Sequence, residues 1–458
     1  MENREINRMA ALTIVSMGLF MVTLDATVVN VALSSLKMSL GVNLSGLQWA
    51  IASYTIAFAA VLLSAGALGD RFGPKKVFCT GVLLFTVASL LCGMAQSLPF
   101  LVFARVLQGI GAALQVANSL SLLQGIFTQP AERARAFGVW GGVGGVAIAT
   151  GPVLGGILIA AFGWPSAFYI NLPFGIFALW AALKTIPEMK VTPRQIKPLA
   201  QLLIAFALGA LAWTFITAGT VGWHSSRVMT SAILCALAAA GFVLLEAVSA
   251  SPMLPKGIFR IRAFTAATTV GLIINLGFYG QLFVISLYFQ QVKAYSTITT
   301  GFALLPQAVV MAVTAFYCGR AVAKTGPGVP MMVGLSTTLT GLIWLMFTHS
   351  TSSYTAVLIP MLLVGFGMSA TAPATVAVCM SSALPGQGGV TSGIINAARQ
   401  SGSVMGVAIL GSFLGNSTFS LHGMHLALAM TVPLYVLALA LTLFWVLPDF
   451  GLTYSSRA

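Results

Sequence analysis

A chain of 458 residues with 58% hydrophobic and only 7% charged positions carries too little polar surface for a water-soluble domain of this size. The formal net charge of +14 invites a nucleic-acid reading, but the basic residues gather in short gaps between apolar runs of about 20 residues, the length that crosses a ~30 Å hydrocarbon core as a helix. Backbone groups in lipid must be satisfied internally, so the runs are read as helices; the ten-residue alternating segments that mark a membrane barrel are absent.

Fourteen spans are predicted, near 10–34, 47–69, 77–96, 99–124, 136–162, 167–184, 199–219, 229–249, 265–289, 300–319, 330–348, 354–382, 388–414 and 424–447. The first follows a short mixed-charge head, Met1 to Arg8. It is too long for a signal-peptide core and is expected to remain in the mature protein. With the N-terminus inside, only Lys37, Arg227 and Lys293 of the 22 Lys and Arg fall in external segments. Arg105 and Arg399 lie within spans and the others are cytoplasmic. That asymmetry is the positive-inside signature, so both termini are expected in the cytoplasm and no nucleic-acid partner is implied. Cys79, Cys92, Cys235, Cys318 and Cys379 fall in or at the ends of apolar spans, where they are expected to act as buried small hydrophobes.

The chain repeats itself. GALGDRFGPK (Gly66 to Lys75) follows span 2 and GRAVAKTGPG (Gly319 to Gly328) follows span 10. They pair Gly66 with Gly319, Arg71 with Lys324, Gly73 with Gly326 and Pro74 with Pro327, at an offset of 253 residues. Gly151 and Gly156 of span 5 pair with Gly406 and Gly411 of span 13 at an offset of 255. Two echoes at nearly one offset imply an all-α membrane protein of two pseudo-symmetric six-helix bundles, 1–183 and 263–458. Spans 7 and 8 form an inserted two-helix pair within 184–262.

Several motifs then occur in order. Span 1 carries LDATVVNVAL (Leu24 to Leu33), and span 2 opens with Gln48-Trp49 and continues to Tyr54. After the loop GALGDRFGPKK come RVLQGIGAA (Arg105 to Ala113), GPVLGG (Gly151 to Gly156), FYINLPFG (Phe168 to Gly175) and NAARQSGSVMGVAILG (Asn396 to Gly411). With this set the chain resembles, over nearly its whole length, the fourteen-span drug:proton antiporters of the major facilitator superfamily. The resemblance implies proton-coupled efflux of small amphipathic drugs or toxic compounds by alternating access, from a monomer in a bacterial cytoplasmic membrane. It implies a proton gradient as the energy source and no cofactor. A dedicated exporter of one metabolite or self-made antibiotic is the alternative within transport; a non-transporting sensor or scaffold is the alternative outside it. The chain departs from the family pattern at Ser34, where relatives often have proline, and at Pro165-Ser166 after Trp164, where an Arg-Trp pair is common. Ala323 replaces the acid of the second loop, and no acid occurs in spans 9 to 14.

The loop after span 2 joins Gly66, Asp70, Arg71, Gly73 and Lys75; glycine permits the tight turn and a carboxylate beside basic residues can form an exchangeable ion pair. The family implies a cytoplasmic latch there, the Asp also meeting a helix N-terminus from the other half. In span 5, Gly151, Pro152, Gly155 and Gly156 let helix backbones approach and invite a kink. Relatives associate this motif with exporters.

Charges at membrane depth cost ~2.5–3.5 kcal/mol each on insertion scales and usually mark function. Asp25, about sixteen residues or ~24 Å along span 1, lies at the depth of Arg105 on span 4. Moving the guanidinium relative to the carboxylate would change its proton affinity, so Asp25 and Arg105 are the candidate proton-coupling pair. Asn30, five residues on, faces elsewhere and is expected to pack helices. Glu246 at the end of span 8 is read as structural, within reach of water or Lys256. Arg105, Gln108, Gln115 and Asn118 form a polar stripe on span 4. Across the pseudo-twofold axis stand Asn275, Phe278, Tyr279, Gln281, Gln307, Asn396, Arg399 and Gln400. Together these define the candidate substrate cavity, although a polar residue in a span often serves as interhelical glue. His224, His349, His422 and His425 map to external loops or their edges, so no histidine relay and no metal site is expected. With no P-loop and no assembled Ser-His-Asp set, the chain does not read as an enzyme.

Overall fold

The structure, a computed structural model, describes residues 8–189, 197–249, 254, 257–382, 388–415 and 419–450. Lys256 and most of both linkers around spans 7 and 8 lie outside the described residues. The described chain is helical: α1 (Arg8–Leu40), α2 (Leu44–Phe72), α3 (Pro74–Gly93), α4 (Leu98–Ile126), α5 (Pro130–Phe162), α6 (Ser166–Tyr169), α7 (Asn171–Thr185), α8 (Pro198–Val221) and α9 (Ser226–Val248). There follow α10 (Arg262–Leu287), α11 (Thr297–Thr325), α12 (Gly328–Leu345), α13 (Tyr354–Ser381), α14 (Gly388–Ser412), α15 (Leu421–Ala429), α16 (Val432–Leu441) and α17 (Leu447–Phe450).

Thirteen helical segments among the described residues are long and apolar enough to cross a membrane. They coincide with thirteen of the expected spans. The segment expected at 388–414 forms α14, yet Asn396, Arg399, Gln400, Ser401 and Ser403 make it too polar to pass on composition. It is lodged between α10, α2 and α8, where protein rather than lipid meets those side chains. The last expected span is interrupted at Met430–Thr431, because Pro433 has no N–H to return to the Ala429 carbonyl. Span 6 is interrupted in the same way. Pro173 cannot bond back to Tyr169, and the chain restarts at Asn171 as α7.

The internal repeat is visible in the packing. α1 lies on α5, α2 on α4 and α3 on α4; with the same partners, α10 lies on α14, α11 on α13 and α12 on α13. The two repeated loops turn alike, with Gly73 at φ +96° and Gly326 at φ +75°, a backbone region that favours glycine. Apolar side chains gain nothing from leaving lipid for protein, so these helices hold together by close approach. A Cβ on Gly81 or Gly111 would sit 2.6 Å from a backbone nitrogen across the α3–α4 contact.

α8 and α9 pack on each other, with α8 also against α2 and α14. Only 17% of the α9 window is buried against 89% for α10, which puts α9 on the rim and α10 inside. Call the end where α1 begins the near end, and the end at the α1–α2 loop the far end.

Contacts between the repeats concentrate at the far end. Ser34 N–H donates to Gln290 Oε1 (3.0 Å), and Gln290 Nε2 donates to the Asn30 carbonyl (3.3 Å). Gln48 Nε2 donates to the carbonyls of Val407 (3.1 Å) and Ala408 (3.2 Å). α5 and α11 touch where a Cβ on Gly156 would come 2.7 Å from the Thr297 carbonyl. At Gly145 the nearest atom is the Ala312 Cα at 4.0 Å, and at Gly142, Gly141 and Gly138 nothing lies within 4 Å. The two helices part toward the near end.

Candidate functional site

Asp25 is fully buried on α1, and each of its hydrogen-bond partners donates to it. Its Oδ2 accepts from Arg105 Nη1 at 2.5 Å. Its Oδ1 accepts from Gln108 Nε2 at 2.8 Å and from Asn171 Nδ2 at 3.2 Å. Arg105 and Gln108 come from successive turns of α4, the i, i+3 spacing that puts them on one face. Arg105 also donates from Nε to the Ala50 carbonyl (2.9 Å) and from Nη1 to Gln108 Oε1 (2.7 Å). Its guanidinium lies over the Tyr54 ring at 4.2 Å and the Phe168 ring at 5.7 Å. Cation–π contact of this kind stabilises a charge that water does not reach. Gln108 Nε2 and Asn171 Nδ2 also reach Ser89 Oγ on α3, at 2.9 and 3.4 Å. Six helices thus converge on one carboxylate.

Asn171 gets there because α7 approaches closely. Gly175, one turn on, lies where any Cβ would collide with Thr86 of α3 and come 3.0 Å from Met21 of α1. Asn171, Ser89, Tyr54 and Phe168 are the site residues that sequence reasoning missed. Asn171 and Phe168 stood inside FYINLPFG and Tyr54 closed the span 2 motif, whereas Ser89 sat in an ordinary apolar run.

Two residues along α1 from Asp25, Thr27 faces the other way. With Ile148, Pro152, Phe278, Gln307 and Met311 it lines a narrow cleft between α1 and α5 on one side and α10 and α11 on the other. The carboxylate network and the cleft are therefore back to back across α1. Of the expected cavity residues, Phe278 and Gln307 line this cleft, and Gln307 Nε2 donates to Gln281 Oε1 at 3.1 Å. Tyr279 packs edge-on to Phe278, centroids 5.2 Å apart.

The span 4 stripe instead points into its own half. Gln108 belongs to the Asp25 network, and Asn118 donates to the Ala65 carbonyl of α2 (3.0 Å) and to its own helix. Gln115 is buried beside Gly18, neither end of its amide having a partner. Asn275 and Asn396 bond back along their own helices to Gly271 and Ser392. Arg399 and Gln400 are half-buried on α14, with the Arg399 stem against Gly271 of α10 and its Nε without a partner.

In the span 5 motif, a Cβ on Gly155 would come 2.8 Å from Val28 of α1, and one on Gly151 would collide with Thr27. Gly156 and Pro152 face α11, where the Pro152 carbonyl occupies the space a Cβ on Gly301 would need. This motif makes both an intra-repeat and an inter-repeat contact.

At the near end Gly73 N–H bonds to the Gly69 carbonyl (2.9 Å), and Lys75 Nζ caps α7 through the Leu183 carbonyl (3.1 Å). Asp70 is half-buried there, Arg71 is exposed, and a Cβ on Gly66 would meet open space. Asn30 bonds back to Ala26, and Glu246 Oε2 accepts the Leu254 N–H at 2.9 Å. His425 Nε2 lies 2.7 Å from the Thr348 carbonyl with its ring edge-on to His349, a far-end contact that the sequence did not suggest.

Residues 15–407 match the model of the Major Facilitator Superfamily. Among curated proteins, the chain is 36% identical to the multidrug resistance protein Stp of Mycobacterium tuberculosis, over 89% of this chain and 76% of that one. It is 32% identical to a methylenomycin A resistance protein of Bacillus subtilis, over 94% and 92%. Its fold superposes on a bacterial homologue of the human lysosomal transporter Spinster with a TM-score of 0.67 at 16% identity, covering 96% of this chain and 97% of that one. With its multi-pass helical architecture and a match over most of its length, this chain belongs to the major facilitator superfamily.

Proposed function

We propose that the chain exports small amphipathic drugs or toxic compounds across a bacterial cytoplasmic membrane in exchange for protons, acting as a monomer without a cofactor. The observation that carries the reading is the buried Asp25–Arg105 pair and its donor shell. An ion pair withdrawn from water is costly to keep, and a scaffold has no use for it. Relatives named for multidrug and antibiotic resistance support the substrate class, and the span 5 motif, which the resemblance associates with exporters, supports the direction.

The working units are two six-helix bundles, 1–183 and 263–458, with α14 counted as a fourteenth span and α8–α9 as the inserted pair. The positive charge of the near-end loops supports a near end and both termini in the cytoplasm. The arrangement described above then faces inward, closed by the Gln290 and Gln48 bonds at the external end. Protonating Asp25 removes the charge that holds Arg105, and deprotonation restores it, so one carboxylate can couple proton and substrate as mutually exclusive states. Substrate enters between the bundles, beside Phe278, Gln281 and Gln307, with Arg399 on the same side of the cavity. The loop of Gly66, Asp70, Arg71, Gly73 and Lys75 latches the cytoplasmic end when the bundles close there.

A relative named for one antibiotic favours a second reading, an exporter dedicated to a single compound. Both readings are tested by loading proteoliposomes or inverted vesicles with protein, imposing a pH gradient and following a broad panel of dyes and antibiotics. Uphill movement of several unrelated compounds is expected from the intact chain, and none from Asp25→Asn. Movement of one compound alone would favour the dedicated exporter, and near wild-type uphill transport by Asp25→Asn would place coupling elsewhere.

A further inference from the structure

Each hydrogen-bonding neighbour of Asp25 is a donor: Arg105 Nη1, Gln108 Nε2 and Asn171 Nδ2. That shell suits a carboxylate. A carboxylic acid in the same place has an O–H of its own and needs an acceptor, since a buried donor left without one is costly. Gln108 Oε1 already accepts from Arg105 at 2.7 Å and from the Cys92 thiol at 3.6 Å. Ser89 Oγ accepts from both amides and donates to the Phe85 carbonyl at 2.8 Å. One acceptor in the shell is idle. Asn171 Oδ1 is buried with no partner, and it belongs to the amide whose nitrogen touches Asp25 Oδ1.

The charged and titratable groups facing Asp25 are few: Arg105 from α4, Tyr54 from α2 beneath the guanidinium, and Cys92 from α3. α5 from 136 to 162 and α7 from 171 to 183 contain no titratable residue. None of these supplies a proton acceptor beside Oδ1.

We infer that Asn171 is the positioning residue that serves both protonation states of Asp25, its side-chain amide turning over when the carboxylate takes up a proton. The inference rests on the reading of Asp25 as the proton-carrying group. With the nitrogen toward Asp25, the amide donates to the carboxylate. Turned by half a rotation about its terminal bond, it brings Oδ1 to the place of Nδ2, beside Asp25 Oδ1 and Ser89 Oγ. There it accepts the carboxyl O–H. The terminal torsion of Asn is two-fold and soft, so the turn itself meets little resistance. The turned orientation gives up the Ser89 contact and leaves the amide nitrogen without an acceptor, so it is reached only when the protonated carboxyl offers the O–H that offsets that loss, and the protonation state of Asp25 decides between the two. No atoms are exchanged beyond the proton, which comes from and returns to the aqueous phase.

The test is acid-minus-alkaline infrared difference spectroscopy on the purified full-length protein in lipid. The carboxylic acid C=O band of Asp25 is identified by its loss in Asp25→Asn. In Asn171→Leu, which keeps the volume and removes the amide, that band is expected at higher wavenumber, because the acid has lost its acceptor. Gradient-driven efflux is expected to fall roughly tenfold, the worth of one hydrogen bond. Asn171→Ala removes the same amide without added bulk and should shift the band the same way, which covers failure of the Leu variant to fold. An Asn that donates in both protonation states would shift the carboxyl band in the same direction, so the deciding readout is the Asn171 amide C=O band, identified by its loss in Asn171→Leu. It should move to lower wavenumber on acidification as Oδ1 gains the carboxyl O–H. An amide band that does not move, or a carboxyl band unmoved in both variants, overturns the proposal. Absence of any Asp25-dependent band in the wild-type protein across the pH range would overturn it together with the proton-coupling reading beneath it.

Discussion

Asp25 and Arg105 are 0% and 1% exposed, so neither charge is hydrated and each depends on the other. Breaking such a pair from one side strands a charge, which typically costs ~3–5 kcal/mol. Arg105→Gln is therefore expected to lower the melting temperature in detergent substantially. Adding Asp25→Asn removes the stranded charge and should recover part of the loss. A double variant no more stable than Arg105→Gln alone would show that the two residues are not coupled. Stability and transport are separable here: the neutral double variant should fold and still fail to move substrate against a gradient. Asn30 shows the limit of motif membership. It shares LDATVVNVAL with Asp25 but bonds to Ala26 of its own helix, while its carbonyl serves the far-end contact with Gln290.

At the far end the described bonds between the repeats run from side-chain amides to backbone. Gln290 engages α1 with both ends of its amide, and the Ser34 N–H that it accepts from would be missing with the proline that the family resemblance implies there. Each such bond is worth ~1 kcal/mol net, so Gln290→Leu, which removes two, should shift the balance toward external opening by roughly thirtyfold. The measurement is labelling of a cysteine introduced at Thr27, in a background without native cysteines, by an impermeant thiol reagent from the external side. Labelling no faster than in the Gln290 parent would mean the clamp does not hold the state. The α5–α11 contact relies on the absence of side chains at Gly156 and Gly301, which touch opposing backbone. α14 repeats this device against α10 and α2, with Gly406 facing the Leu276 carbonyl and Gly411 facing Gln48.

At the scale of the whole molecule, three deep charges stand in the membrane. Asp25 and Arg105 cancel, and spans 9 to 14 hold no acid to offset Arg399. A cationic substrate finds no free carboxylate in the cleft, whose described lining is apolar apart from Thr27 and Gln307. Neutral, zwitterionic and monocationic compounds are expected to be exported, and dications poorly. Comparing efflux of a monocationic and a dicationic dye under the same imposed gradient tests this, and equal rates would discard it.

Membrane insertion and the internal repeat were legible from composition and spacing, because lipid forces apolar length and duplicated loops keep their turn glycines. The pairing of Asp25 with Arg105 was legible too: matched depth and opposite charge leave few partners in a dry interior. The remaining partners were not. Ser89 lies in an ordinary apolar span and Gln290 just past the end of one, neither with a distinguishing pattern, and which face a polar side chain presents depends on how six helices rotate against each other. The span 4 stripe makes the point. Its periodicity identified one face of α4, but only tertiary packing turned that face into its own half, giving Gln108 to Asp25 and Asn118 to α2. α14 is the converse case, a helix whose polarity argues against a span and whose neighbours supply the burial that hydropathy alone did not.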